Sequence, residues 1–304
     1  MEVFRYQYEQ IATYREFCDH LGVQKKQVKE LTDIPFLPID LFKTRTISTN
    51  ATIAQTFSSS GTTGSTPSLH HVVDLSVYRK SYSQGFERVY GKAEEWAILA
   101  LLPSYLERQG SSLIYMVNGL IEASGNPASG FYLHNIDELR SKLIQLEAVG
   151  QKTLLLGVSY ALLDFIEAGS INLEHTIVME TGGMKGQRKE LIKSELHELL
   201  KEGFGVGQIH SEYGMTELLS QAYSTGHGRY HCPPWMKVLT RDPEDPLSYV
   251  EGKSGGINVI DLANINSCAF IATQDLGKVH SDESFEILGR FDHSDLRGCN
   301  LMVF

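Results

Sequence analysis

No stretch of this 304-residue chain stays apolar long enough to cross a bilayer; the most apolar run, Trp96–Leu102, is far too short. The amino terminus, MEVFRYQYEQ, has charged and polar residues where a signal peptide needs an apolar core. Cysteine is scarce. Cys18, Cys232, Cys268 and Cys299 make no CxxC pair and no framework spacing, which argues against a disulfide scaffold and predicts free thiols in a reducing cytoplasm. Positive charge is also short: 27 Lys and Arg against 37 Asp and Glu leave a net charge of −10, a poor balance for gathering nucleic acid by neutralising phosphates. What remains, 42% hydrophobic and 21% charged, is the composition of a soluble globular protein long enough to bury a sizeable core.

Short strand-like and helix-like segments alternate along most of the chain. Val3–Leu21 places Phe4, Tyr8, Ile11, Tyr14 and Phe17 near helical spacing, with Gly22 as a stop. Trp96–Leu102, Thr153–Val158 and His175–Thr181 read as strands, as do the β-rich runs Gly256–Leu262 and Ile265–Thr273. Leu139–Val149, Tyr160–Ala168 (with Ser159 as N-cap) and Gln187–Lys201 read as helices. The pattern predicts an α/β fold with helices packed on sheets.

One segment stands apart. FSSSGTTGSTPS, residues 57–68, is built from hydroxyls and glycines and holds no charge. Flexible linkers share that composition. Here, however, ATIAQTF precedes it and LHHVVDLS follows, two β-prone runs close enough to pair as a hairpin. A loop between paired strands can cradle an anion through glycine backbone amides and Ser and Thr hydroxyls. It lacks the lysine and spacing of GxxxxGK[ST], so it is not the P-loop of ordinary nucleotide hydrolases. By itself it is either a nucleotide loop or a plain turn.

Three further blocks follow in order: SEYGMTE at 211–217, TQDLG at 273–277 and LGRFDHSDLRG at 288–298. The ordered set resembles the adenylate-forming superfamily of acyl-CoA synthetases, over residues 57–298. Within it, IPFLPIDLFK at 34–43, LPSYLERQGSSLIYM at 102–116 and the ending RGCNLMVF are similar to the acyl-protein synthetases of bacterial fatty acid reductase systems, the LuxE type. The resemblance implies the large N-terminal domain of an adenylate-forming enzyme, with mixed sheets and flanking helices, as a single domain over 1–304 with a hinge and short tail at 288–304.

It also implies chemistry. A fatty or related carboxylate would be activated by ATP and magnesium as acyl-AMP, then passed to a cysteine and on to a partner such as an acyl reductase or carrier. Ser59, Ser60, Gly61, Thr62, Thr63 and Gly64 would cradle the departing phosphates. Tyr213 and Gly214 would lie along the adenine, with Gly182 and Gly183 bringing backbone against it. Thr216 would meet the α-phosphate and Glu217 would hold magnesium. Asp275 would accept from the ribose hydroxyls, with Arg290 on the other side. Cys299 would take the acyl group, with Arg297 helping to form the thiolate.

The sequence also departs from the family pattern. Ser68 follows Pro67 where many members carry a lysine, so phosphate binding would rest on hydroxyls and amides. Ser211 stands where an asparagine often reads adenine, which weakens that contact. Asp292 matches the hinge, and only 12 residues follow it in place of a mobile domain of about a hundred residues that brings a catalytic lysine. An acyl- or aryl-CoA ligase resembling phenylacetate-CoA ligase and a non-catalytic nucleotide-binding scaffold are the competing readings. GHGRYHC at 226–232 brings His227, His231 and Cys232 close, but no fourth zinc ligand appears at finger-like spacing. Cys18 and Cys268 read as core, and His70 and His71 as unremarkable strand residues.

Overall fold

The computed structural model describes residues 1–59, 66–103, 107–108, 110–182 and 191–291. The chain opens on two helices, α1 (Glu2–Gln10) and α2 (Ala12–His20). The aromatic stripe predicts one continuous helix here. Ile11 instead adopts an extended backbone, φ −112° and ψ 102°, and ends α1 while starting α2. Being β-branched, Ile11 gives up little by leaving the helix, and the break lets Phe4, Ile11 and Tyr14 all become fully buried. Gln7 is buried among them. Its amide donates to the Asn264 and Ile265 carbonyls at 2.8 and 3.1 Å and accepts from Ala269 N at 2.9 Å, fixing α1 to the far end of the chain.

A short strand, β1 (Leu37–Pro38), precedes a single helical turn, α3 (Leu41–Thr44). The expected hairpin follows: β2 (Gln55–Ser58) and β3 (Leu69–Val72) pair antiparallel from Gln55↔Val72 to Ser58↔Leu69. Then come α4 (Leu75–Tyr90), β4 (Ala97–Leu101), α5 (Ser112–Ser124), β5 (Gly130–Phe131), α6 (Ile136–Ala148), β6 (Thr153–Val158), α7 (Ser159–Glu167), β7 (Thr176–Thr181) and α8 (Lys193–Phe204). Ser159 is not a cap. Val158 takes that position, and the Ser159 hydroxyl donates to the Gly182 carbonyl at 2.8 Å, joining the start of α7 to the end of β7.

The last third is mostly strand: β8 (His210–Tyr213), β9 (Ala222–Ser224), β10 (Tyr230–His231), β11 (Met236–Arg241), β12 (Ser254–Asp261), β13 (Phe270–Val279) and β14 (Phe285–Arg290). Among the described residues one sheet runs β11-β12-β13-β14-β10-β9-β8-β7-β6-β4-β5, with β1 added beside β13. Strands β4 to β8 pair parallel and the remainder of that path antiparallel, so the sheet changes character between β8 and β9. Each half has its own core. Phe57, Phe86, Leu99 and Leu155 belong to the parallel half; Phe4, Tyr14, Phe270 and Phe285 belong to the antiparallel half. Parallel strands buried on both faces read as continuous apolar runs, and β4 and β6 are buried at every position.

TQDLG lies inside β13 and is not a surface turn. At Gly277 a Cβ would come within 2.3 Å of the Glu286 backbone oxygen across the β13–β14 ladder, and backbone cannot move aside as a side chain can. Gly277→Ala is therefore expected to destabilise the fold by about 1–3 kcal/mol, read as a lower urea midpoint at unchanged slope.

Candidate active site

Two parallel strands, β7 and β8, end side by side, with Thr181 opposite Glu212 in register. Ligands of open α/β sheets gather beyond such carboxyl ends. Gly182 leaves β7 with φ 68°, a left-handed conformation that favours glycine. Tyr213 ends β8 and begins the segment Tyr213–Gly214–Met215–Thr216–Glu217.

That segment is held by groups far away in sequence. Asn264 donates from its amide to the Glu217 carbonyl at 2.7 Å, and Leu219 N donates to Asp261 Oδ2 at 2.8 Å and Asn264 Oδ1 at 3.1 Å. His70, fully buried on β3, places Nδ1 at 2.8 Å from the Thr216 carbonyl and Nε2 at 2.8 Å from Ser267 Oγ. A carbonyl only accepts, so Nδ1 carries the proton and Nε2 accepts from the serine hydroxyl. Burial pushes the His70 pKa down to about 4, which keeps the ring neutral. No local signal marked His70, Asp261 or Asn264 in the sequence.

The hairpin closes against the same segment. Ser59 N donates to the Ser68 carbonyl at 3.0 Å and Ser68 N to Ser59 Oγ at 2.9 Å, a reciprocal pair at the neck of the loop. The Ser68 hydroxyl then hydrogen-bonds the Glu217 carboxylate. Glu217 is buried, and burial raises its pKa; Ser68, Arg290 and Lys43 act in the opposite direction. Ser60, Gly61, Thr62, Thr63 and Gly64 lie outside the described residues, as do Gly183, Asp292, Arg297 and Cys299.

At the other side of the segment, Tyr213 donates its hydroxyl to Asp275 Oδ2 at 2.8 Å. Arg290 Nε lies 3.3 Å from Asp275 Oδ1, and the two residues face each other in the β13–β14 register. Asp275 is buried, which raises its pKa, while the Arg290 charge and the Tyr213 hydrogen bond favour its ionised form. Behind it Arg241 is buried and donates to the Ile257 and Thr273 carbonyls at 2.7 and 2.5 Å and to Asn258 Oδ1 at 2.8 Å. The Tyr213 ring packs edge-on against Phe285 at 5.3 Å.

Ser211 lies apart from this group. It is fully buried, its hydroxyl 3.4 Å from His197 Nε2 and hydrogen-bonded to Glu180 and Tyr230. Lys193 completes the cluster with an ion pair to Glu180 at 2.8 Å and a hydrogen bond to Tyr230. Burial opposes the charge on Glu180, yet Lys193, His197 and Ser211 together bring its pKa down to about 2. The structure thus gathers Ser59, Gly182, Tyr213, Gly214, Thr216, Glu217, Asp275 and Arg290 around one segment and places Ser211 in a separate polar cluster. The GHGRYHC stretch shows a different arrangement: burial pushes the Cys232 thiol up to about 12, and no group of three His, Cys, Asp or Glu able to hold a metal occurs among the described residues. No described helix is long and apolar enough to cross a membrane.

A family model described as acyl-protein synthetase, LuxE, matches residues 1–304. The chain belongs to this family. This acyl-protein synthetase is 26% identical, over 99% of its own length and 85% of the relative's, to the long-chain-fatty-acid–luciferin-component ligase of Vibrio harveyi. It is 23% identical, over 99% and 86%, to the ligase of the same name from Aliivibrio fischeri. The similarity to LuxE-type acyl-protein synthetases, carried by IPFLPIDLFK, LPSYLERQGSSLIYM and RGCNLMVF, is borne out. Among solved structures it is similar to 2-hydroxyisobutyryl-CoA ligase in complex with 2-HIB-AMP and CoA, with TM-score 0.69, 14% identity, and 96% of this chain against 68% of that one. It is also similar to ATP-bound MatB from Rhodopseudomonas palustris, with TM-score 0.58 and 18% identity over 78% of this chain. The chain spans about half of MatB, 48%. At these identities the likeness concerns the fold, and the expected α/β architecture of an adenylate-forming ligase is the one found.

Replacing His70 by leucine leaves the Thr216 carbonyl and Ser267 hydroxyl without their buried partner. His70→Leu should cost about 2–5 kcal/mol in denaturant unfolding, and His70→Asn, whose amide can still donate near the Nδ1 position, should cost less.

Proposed function

We propose that this acyl-protein synthetase activates a long-chain fatty acid with ATP and transfers it to its own Cys299 for delivery to an acyl-accepting protein, such as an acyl reductase. Family membership over the whole chain supports the acyl-protein ligase activity, and the names of the Vibrio harveyi and Aliivibrio fischeri relatives support the long-chain acid. The observation that carries the residue assignments is the convergence on one segment of Glu217 and Ser68 at one end with Tyr213, Asp275 and Arg290 at the other. That spacing of an anion-handling end and a diol-accepting end suits a nucleoside triphosphate lying along Tyr213–Glu217.

In the first step a carboxylate oxygen attacks the α-phosphorus, the bond to the bridging oxygen breaks, and pyrophosphate leaves with that electron pair. Asp275 accepts from the ribose hydroxyls and Arg290 fixes its carboxylate. Thr216 donates to the α-phosphate and the 59–64 loop holds the departing phosphates. Glu217 suits magnesium, since a hard carboxylate oxygen raised in pKa by burial gains from a cation, and one carboxylate plus phosphates is a common way to hold this ion. Magnesium, when bound, neutralises charge along the phosphate chain. In the second step the Cys299 thiolate attacks the acyl carbonyl, the carbonyl–phosphate bond breaks, and AMP departs. Splitting the transfer in this way is ordinary covalent catalysis.

Fatty-acid-dependent exchange of labelled pyrophosphate into ATP tests the first step. Glu217→Gln should lower it by about 100-fold or more. Cys299→Ser should retain exchange and lose the hydroxylamine-sensitive acyl-protein; a serine variant that acylates normally would remove Cys299 from the account.

A further inference from the structure

The phosphate loop has Ser68 where a lysine would be useful, and Ser68 is committed to Glu217. A chain of phosphates beside a buried carboxylate needs a cation from elsewhere. Two described cations act on Glu217 through space, Arg290 and Lys43, and Arg290 is engaged with Asp275.

Lys43 is held in place from two directions. Strand β1 pairs parallel with β13 at Leu37↔Ile271 and Pro38↔Ala272, and Ile39 N extends the ladder to the Ala272 carbonyl at 3.0 Å. Asp40 Oδ2 accepts from Gln274 Nε2 at 2.5 Å, the residue directly before Asp275. Lys43 Nζ rests on Asp40 Oδ1 at 2.6 Å. On the other side Phe42, 1% exposed, packs edge-on against His70 at 5.6 Å, and His70 holds the Thr216 carbonyl. The ammonium has three donors and one is on Asp40, so it can still address a ligand, and 37% of the side chain is open to solvent.

We propose that Lys43 is the phosphate-binding cation of this site, supplied by the amino-terminal segment in place of a loop lysine. The inference rests on the adenylation reading above. Lys43 contacts the phosphate chain of the nucleotide and stabilises the charge that builds on it as pyrophosphate leaves. The anchorage comes from within IPFLPIDLFK: Leu37, Pro38 and Ile39 fix the segment on β13, and α3 places the lysine one turn beyond Asp40.

The test is pyrophosphate exchange with full-length Lys43→Ala, Lys43→Arg and Glu217→Gln, alongside thermal unfolding. Lys43→Ala should lower kcat for exchange by about 100- to 1,000-fold with the KM for fatty acid unchanged. Lys43→Arg should recover most of the rate, and ethylammonium added to Lys43→Ala should restore part of it, which a purely structural lysine would not allow. Because the ion pair with Asp40 is half-exposed, the unfolding midpoint should move by only a few degrees. Exchange by Lys43→Ala at the wild-type rate, with Glu217→Gln impaired, would overturn the role of Lys43 alone; a slow Lys43→Ala that ethylammonium cannot rescue and arginine cannot replace would overturn it as well. Exchange unaffected in Glu217→Gln, or absent in the wild type, would instead overturn the adenylation reading beneath it.

Discussion

The segment from Tyr213 to Glu217 lies where the parallel and antiparallel halves of the sheet meet, and after Tyr213, which pairs with Ala222 of β9, it leaves the ladder. Its carbonyls and the amides that follow must still find partners, since a buried backbone group left unpaired costs as much as a lost hydrogen bond. His70, Asp261 and Asn264 supply them, at 2.8 Å to Thr216 O, 2.8 Å from Leu219 N and 2.7 Å to Glu217 O. Each of the three comes from a different strand or connection. The β2–β3 hairpin, the connection between β12 and β13 and the Tyr213–Glu217 segment are therefore fixed to one another by a few polar contacts.

The electrostatics follow from this construction. Two carboxylates, Glu217 and Asp275, are buried within a short distance along the chain of contacts, and burial raises the pKa of both. The compensating cations are more exposed: the Arg290 side chain is 71% open and that of Lys43 37%. Buried anions with cations at the rim suit a ligand that brings its own negative charge and is accompanied by a metal. The same arrangement explains why Arg241 is needed behind Asp275. Its guanidinium satisfies three acceptors where β11, β12 and β13 meet and adds positive potential beneath the carboxylate.

The buried parallel strands β4, β6 and β7 and the polar motifs could be read directly, because both are local. Strands β8–β11 and β14 gave no run long enough to name, and residues 265–269 lie in a turn, with β13 starting only at Phe270. β4 and β6 are unbroken apolar runs, and SSSGTTG, EYGMTE and TQDLG are compact polar blocks whose order is informative. The supporting contacts were not legible for the opposite reason. His70 meets Thr216 across 146 positions and Gln7 meets Asn264 across 257, so neither leaves a spacing to detect. Helix breaks were obscured as well: the Phe4–Phe17 stripe keeps helical spacing across Ile11 even though the backbone there is extended. Ser211 occupies the expected position in its motif, yet its environment is set by Glu180, His197 and Tyr230, which belong to other blocks.

The central claim is that one chain both makes an acyl-adenylate and captures the acyl group. Intact-mass spectrometry after incubation with ATP, magnesium and a long-chain fatty acid, with no coenzyme A present, tests it most directly. The account predicts a single addition equal to the fatty acid less one water, located on the peptide bearing Cys299, with one AMP released per acyl group bound. AMP released in proportion to added coenzyme A with the protein mass unchanged would contradict it.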